Sequence, residues 1–337
     1  MELSVSSVNP TPTNPQGKLH ALTALRFFAA GMIVLHHSRS LFGISSSFGE
    51  SVNLASGVSF FFVLSGFILT YVYPSLERTG IRRFWLARFA RIWPAHVASL
   101  LLLLLLVPPA RPRLDSDSLG PLAANLALVH SWIPLGRYYF SYNHVSWSVA
   151  TEVGFYLCFP LLIANWPRTW WWKLGLALLG SGGMIVLTNV LTLPYLDIAG
   201  DGVDVNGTVY VNPVAHLFEF VLGMATALAW RRVSPSIRLS RWTATAIEMA
   251  VLGVVVVLLF YSLAWADELG RYPWVGLGGQ TWLWSGGIPC LGFAALIFVL
   301  ATGQGLVARI LTIPPLLLLG EIKLLDLSRP PDLVPLL

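Results

Sequence analysis

Apolar residues in this chain do not alternate as in a strand; they come in runs of bilayer length, separated by short polar or basic breaks. An α-helix needs about 20 predominantly apolar residues to cross a membrane. By unbroken apolar length, spans are predicted near 19–38, 55–73, 89–107, 145–163, 174–193, 212–230, 244–264 and 283–301. Two further segments are ambiguous. Segment 119–133 is short and carries Asn125 and His130, and 306–322 contains Pro314-Pro315 and then stops. No connector is long enough for a soluble domain, and no repeat of solenoid period or transporter-like symmetry is visible. The pattern predicts an all-α polytopic transmembrane helix bundle of roughly 8–10 spans.

Composition agrees. Of 337 residues, 55% are hydrophobic and 11% charged, against roughly 25% charged in soluble domains; the mean hydropathy is +0.70. The net charge of +5, from 21 Lys+Arg against 16 Asp+Glu, reads as topology rather than nucleic-acid binding. Arg78, Arg82, Arg83, Arg88 and Arg91 mark segment 78–91 as cytoplasmic, and Arg231, Arg232, Arg238 and Arg241 mark 231–241 likewise. The connector with Asp197, Asp201 and Asp204 reads as outside. With the amino terminus inside, these assignments agree only if 119–133 does not cross fully, as a re-entrant or surface helix. Residues 1–18, polar and Pro-rich, read as a disordered cytoplasmic tail rather than a secretory signal. Cys158 and Cys290 fall in apolar stretches and read as small buried hydrophobes.

Ionisable side chains inside such runs are costly, so each is a functional candidate. Arg26 and His37 share one face of the first span, eleven residues and about 16 Å apart. They cannot touch, but both could line one channel or grip one long ligand; alternatively, His37 snorkels to the membrane edge. In Phe61-Phe62-Val63-Leu64-Ser65-Gly66-Phe67, the small residues Ser65 and Gly66 fit either a packing notch or a ligand contact. Arg88 and Arg91, one turn apart, suit phosphate groups, although positive-inside anchoring with Trp85 and Trp93 at the interface predicts the same residues. In Ser146-Trp147-Ser148-Val149-Ala150-Thr151-Glu152, the Glu152 carboxylate fits proton transfer, orientation of an imidazole, or a structural ion pair. Glu219 lies well inside a span and needs a partner or a proton. His130, His144 and His216 read as structurally satisfied. No Gly-rich phosphate loop, nucleophile elbow or metal-binding His pair is present.

Taken in order, Leu25-Arg26 with His37 beyond it, the Phe61–Phe67 motif, Arg88-Phe89-Ala90-Arg91-Ile92-Trp93-Pro94 and Ser146–Glu152 resemble the membrane-bound acyltransferase family 3, which includes bacterial sugar O-acetyltransferases. Glu219-Phe220-Val221-Leu222-Gly223 is a weaker match, and the resemblance covers residues 19–322. It implies an acyl-CoA donor, with acetyl-CoA foremost, arriving from the cytoplasm, and a hydroxyl acceptor on a carbohydrate or lipid-linked glycan. The setting it implies is the bacterial inner membrane, with membrane lipids as surroundings and no nucleic-acid partner. On that basis Arg88 and Arg91 are expected to hold donor phosphates, and His37 to act as general base or transient acyl carrier. Arg26 is expected to contact the donor chain, and Glu152 to orient or charge-compensate His37. Ser65 and Trp147 are expected to shape the acyl tunnel, and Gly66 is counted with them among the donor-binding residues. No bound cofactor or metal is expected.

Two departures stand out. The family usually places an arginine in the turn before Glu219, where this chain has His216. After Leu316-Leu317-Leu318-Leu319-Gly320-Glu321-Ile322 the family's last helix is expected to continue, but Lys323-Leu324-Leu325-Asp326-Leu327-Ser328-Arg329-Pro330-Pro331 follows instead. Residues 323–337 therefore read as an aberrant, Pro-rich tail, consistent with truncation or a frameshift. The alternatives are a transporter or flippase with charges along its path, or an inactive remnant of the acyltransferase family.

Overall fold

The computed structural model describes residues 19–42, 51–106, 116–197 and 201–321; the expected tails at 1–18 and 323–337 lie outside them. Thirteen α-helices follow one another among the described residues. They are α1 (His20–Phe42), α2 (Gly57–Val72), α3 (Arg78–Leu106), α4 (Ser116–Leu126), α5 (Gly136–Tyr139), α6 (Trp147–Ile163) and α7 (Trp166–Val190), then α8 (Leu217–Val233), α9 (Arg241–Gly270), α10 (Gly276–Trp282), α11 (Pro289–Thr302), α12 (Leu306–Ile310) and α13 (Pro314–Glu321). Seven helical segments are long and apolar enough to cross a membrane, and the 17-residue α8 runs through the centre beside them. No strand forms among the described residues beyond an isolated Leu135–Val203 bridge. The chain is an all-α, multi-pass membrane bundle. With 11 residues, α4 is about 16 Å long, well short of a bilayer core of about 30 Å.

Two boundaries differ informatively from the hydropathy reading. The third span, expected to begin near residue 89, begins at Arg78, so the basic segment 78–91 is the first half of the 29-residue α3. An apolar-run criterion stops at charges, but Arg, Leu, Ala and Trp all propagate a helix. The span expected at 283–301 is broken. Here α10 and α11 meet through a wide π turn at Leu283–Gly287, where Gly286 has φ 130°, a conformation that side chains with a Cβ avoid.

Helices in lipid gain little from apolar burial against one another, so close backbone approach and satisfied polar groups hold the bundle. The tightest crossing is α2 on α8. A Cβ at Gly66 would collide with the Phe220 carbonyl, and one at Gly223 with the Val63 carbonyl. Each glycine thus lets the other helix's backbone in. Around this pair pack Phe62, Phe67, Phe155, Phe159 and Phe220, all buried. The outer helices α7 and α9 instead expose Trp171, Leu176, Leu179, Val186, Val254, Val257 and Tyr261, as lipid-facing surfaces do.

Buried charges in this shell sit on helix ends. Lys173 of α7 donates to the carbonyls of Leu161, Leu162 and Ala164 at the end of α6, at 3.1, 2.9 and 2.6 Å. Glu248 of α9 accepts from the backbone N–H of Gly305 and Val307 at the start of α12, at 3.1 and 2.8 Å. Each complements the partial charge of the helix terminus it meets. The connector before α8 is organised by Asp204. It accepts from Tyr139 Oη at 2.6 Å and from the N–H groups of Asp197 and Gly207 at 2.9 and 2.7 Å. Burial, followed by the hydrogen bond to Asp204 and its charge, pushes the Tyr139 phenol well above its ordinary range. The π turn Asn206–Tyr210 follows directly and carries Tyr210 to the site described next.

Candidate active site

A cavity of about 490 Å3 opens between α1, α2, α3 and α6. Of the eight residues singled out from sequence, Arg26, His37, Ser65, Arg88, Arg91, Trp147 and Glu152 line it, and Gly66 does not. Gly66, counted among the donor-binding residues with a packing notch as the alternative, is the notch of the α2–α8 crossing, on the buried side of its helix.

The helices set the depth of each group. Residue Gly57, the first of α2, packs against Ala29 and Ile33 of α1. From there Ser65 lies eight residues along α2 and Arg26 seven residues back along α1, about 12 and 10 Å respectively. Arg26 and Ser65 therefore share one level, and His37 lies on the other side of Ile33, about 16 Å from Arg26. The cavity has a cationic end and a histidine end.

At the cationic end stand three guanidinium groups and one carboxylate. Arg88 Nη2 donates to Tyr73 Oη at 3.2 Å, and its guanidinium lies 5.6 Å from the Tyr73 ring centroid. Arg88 Nε is buried without a hydrogen-bond partner among the described residues. Arg26 interacts electrostatically with Arg91, Glu152 and Tyr156. Glu152 Oε1 accepts both from Ser65 Oγ and from Tyr156 Oη, each at 2.6 Å, and its charge acts on Arg26 and Arg91. With three positive charges against one negative, this end is built for an anion. Trp85 holds α3 in this orientation by donating to the Tyr156 carbonyl at 3.0 Å, and Trp93 by donating to the Leu126 carbonyl at 3.0 Å. Both tryptophans, read from sequence as membrane-interface belts, tie α3 to its neighbours.

The expected pairing of Glu152 with His37 is not what the fold makes. Glu152 is bound to Ser65 and Tyr156 at the arginine level, while His144 is an electrostatic neighbour of His37. The reason is depth. A carboxylate facing Ser65 cannot also reach an imidazole about three helical turns further along. At that far end His36 and His37 present rings 5.2 Å apart, edge to face.

Trp147, Tyr210 and Phe62 form the wall behind Glu152, with Trp147 5.0 Å from the Tyr210 ring and 6.4 Å from Phe62. Burial raises the Tyr210 phenol to about 12, which keeps it a neutral hydroxyl. The wall is backed by a buried pair. His216 Nε2 lies 2.7 Å from the Tyr210 carbonyl and Nδ1 3.1 Å from Glu219 Oε1. The carbonyl can only accept, so Nε2 carries a proton, and one further proton is shared between Nδ1 and Glu219. His216 thus supplies Glu219 with its partner, and its ring packs on Trp147 and Phe62 at 5.9 and 5.2 Å. Tyr73, Tyr156, Tyr210 and His96 are the site residues that sequence did not single out. Only the spacing of Tyr156 one turn after Glu152 could have signalled one of them.

His130 is fully buried beneath the histidine end. Burial first, and His96 second, hold its imidazole down to about 4, against about 6.5 when unfolded. The unfolded chain therefore binds more protons between those values, and stability falls as pH drops from about 6.5 to about 4. The depression corresponds to a contribution on the order of 3 kcal/mol, present above pH 6.5 and lost at low pH. Thermal melts of the solubilised protein at pH 7 and pH 5 are expected to differ less in His130→Asn than in wild type. Equal pH sensitivity would show that His130 protonation is not coupled to folding.

The acyltransferase domain family model matches residues 19–322. The acyltransferase MdmB of Streptomyces mycarofaciens is 32% identical over 230 residues, covering 64% of this chain and 58% of that protein. The O-acetyltransferase OatA of Staphylococcus aureus is 25% identical over 322 residues, covering 90% of this chain and 48% of that protein. The chain thus spans about half the length of these curated relatives. No solved structure matches it. A match across nearly the whole bundle, including every helix that lines the cavity, means that the chain belongs to the membrane acyltransferase family 3.

Proposed function

We propose that this protein is an integral-membrane O-acyltransferase of the bacterial inner membrane. It moves an acyl group, acetyl foremost, from acyl-CoA to a hydroxyl of a cell-surface glycan or lipid-linked sugar. The observation that carries the reading is the pairing of three guanidinium groups and one carboxylate at one end of a cavity with histidines at the other. Arg26, Arg88 and Arg91 hold the donor's phosphates from the cytoplasmic side, by charge-assisted and bidentate hydrogen bonds. The pantetheine arm, roughly as long as a stretched peptide of four to five residues or about 15 Å, matches the distance from Arg26 to His37 and carries the thioester toward the imidazole. His37 takes the proton of the attacking hydroxyl as its oxygen adds to the thioester carbonyl. The tetrahedral centre then collapses, the C–S bond breaks, and the proton passes to the departing thiolate. Glu152 limits the repulsion among the arginines and, fixed by Ser65 and Tyr156, keeps their forks apart for the ligand.

The test is transfer of labelled acetyl from acetyl-CoA to membrane glycans by wild type and by Arg91→Gln. Removing one charge-assisted contact costs about 1.5–3 kcal/mol, so the donor KM is expected to rise roughly 10- to 100-fold. An unchanged donor KM would remove the arginines from the donor site. Absence of transfer and of acetyl-CoA binding by correctly inserted wild type would overturn the function itself.

A further inference from the structure

We propose that His96 is a positioning residue for the acceptor, whose Nδ1 receives a hydrogen bond from a second, non-reacting hydroxyl and so selects a polyhydroxylated acceptor such as a sugar. The inference rests on the acyl-transfer reading of the cavity and adds a recognition element to it.

Residues Arg88, Arg91, Ile92, Ala95, His96 and Ser99 line the cavity from one stripe of α3. Their spacing is that of a single helix face, and His96 lies about 12 Å beyond Arg88 toward the histidine end. The donor's arginines and His96 are thus on one wall at different depths. His37 lies eleven residues, about 16 Å, from Arg26 on α1, and His96 eight residues, about 12 Å, from Arg88 on α3, so both imidazoles stand beyond the arginines toward the same end of the cavity.

His96 is only 5% exposed, yet it borders the cavity. Its Nε2 lies 3.0 Å from the Asn125 backbone oxygen. A carbonyl has no proton to give, so Nε2 is the N–H and Nδ1 of the neutral ring is a bare lone pair. Nδ1 has no hydrogen-bond partner among the described residues and is not one of the enclosed polar atoms, and His96 is a lining residue of the cavity, so the lone pair is available to a molecule bound there. The ring also stacks on His130, with centroids 6.2 Å apart and planes 13° apart. His130 is locked in turn. Ser146 Oγ donates to the Asn143 carbonyl at 2.7 Å and therefore accepts from His130 Nε2 at 3.2 Å. Charging both stacked imidazoles would place like charges side by side away from water, so the pair favours the neutral state. A neutral imidazole offering only a lone pair recognises a hydroxyl or N–H donor and rejects a phosphate or carbonyl oxygen. Because His37 takes the proton of the reacting hydroxyl, the donor that meets His96 is another hydroxyl of the same acceptor.

Two measurements on the full chain in native membranes test this. Diethyl pyrocarbonate, which acylates uncharged accessible imidazole nitrogen, is expected to modify His96 and to spare His130, as read by peptide mass spectrometry. An unreactive His96 beside a reactive His37 overturns the proposal, and this outcome does not depend on any substrate. In the second, His96→Phe and His96→Gln are compared with wild type in acetyl transfer to the membrane glycan pool and in acetyl-CoA thermal shift. His96→Phe is expected to lower acceptor kcat/KM about tenfold or more, with donor KM and the thermal shift unchanged. His96→Gln, which keeps an acceptor oxygen, is expected to recover much of the loss. Wild-type transfer by His96→Phe, or loss of the acetyl-CoA shift in the same variant, refutes a positioning role. If wild type itself shows neither shift nor transfer, the acyl-transfer reading fails, while the reagent result still stands on its own.

Discussion

Replacing His37 by Ala is expected to lower acetyl transfer about 10²- to 10⁴-fold, the usual contribution of a positioned general base, while acetyl-CoA still binds. The separation follows from geometry. His37 stands about 16 Å from Arg26, at the end of the cavity away from the guanidinium groups that supply donor affinity. A group acting only as chemistry proceeds should lower kcat and kcat/KM together and leave donor binding alone. Glu152→Gln should behave differently, because Glu152 is bound to Ser65 and Tyr156 among the arginines and touches the donor's end of the cavity. The measurement is acetyl-CoA-dependent labelling of membrane glycans with donor titration, alongside an acetyl-CoA thermal shift. Transfer by His37→Ala within a few-fold of wild type would assign the base elsewhere, with His36 the nearest alternative imidazole, its ring 5.2 Å away.

Gly223→Ala is expected to destabilise the bundle by about 1–3 kcal/mol, and Gly223→Val to prevent its assembly. A Cβ at position 223 meets the Val63 carbonyl, and one at position 66 meets the Phe220 carbonyl, so neither can be accommodated by a side chain rotating away. Backbone must move, and α2 would then lift from α8. Ser65 and Phe62 move with α2, and Phe220 with α8, so activity should fall along with stability. Gly183→Ala serves as the control, since a Cβ there meets nothing within 4 Å. Melting temperature and the monodisperse fraction in detergent read the result. A Gly223→Ala protein that melts with Gly183→Ala and wild type would show that the crossing is looser than its geometry.

Much of the fold is legible in the sequence because lipid imposes one rule on every segment. Backbone polar groups must be satisfied within the segment, so an apolar run of bilayer length becomes a helix. The same cost of charge in lipid made Arg26, His37, Arg88, Arg91 and Glu152 visible as candidates, and all five line one cavity. Where hydropathy misplaced an edge, as at residues 78–91, the charges that ended the apolar run were themselves helical, and two of them, Arg88 and Arg91, line the cavity.

What periodicity could not decide is which faces meet and at what depth. A single helix shows that Arg26 and His37 share a stripe, but not that Glu152 belongs with the arginines and away from His37. That depends on α1 and α2 running side by side from Ile33 and Gly57, a register set by packing. Gly66 and Ser65 are neighbours in the chain, yet one closes a helix crossing and the other holds a carboxylate. A rotation of about 100° per residue turns them to different partners. His96 carries no signal of its own in a sequence rich in aromatic and apolar residues, and His216 shows only as a departure from the family pattern, with no hint of what it touches. Their roles come from groups contributed by other segments: the Asn125 carbonyl for His96, and the Trp147 ring and Tyr210 carbonyl against His216. Sequence alone determined the membrane-spanning class and the charged residues that lipid makes expensive. Tertiary structure decided how those charges divide between two ends of one cavity, because only helix crossings convert a position along a chain into a depth and a face.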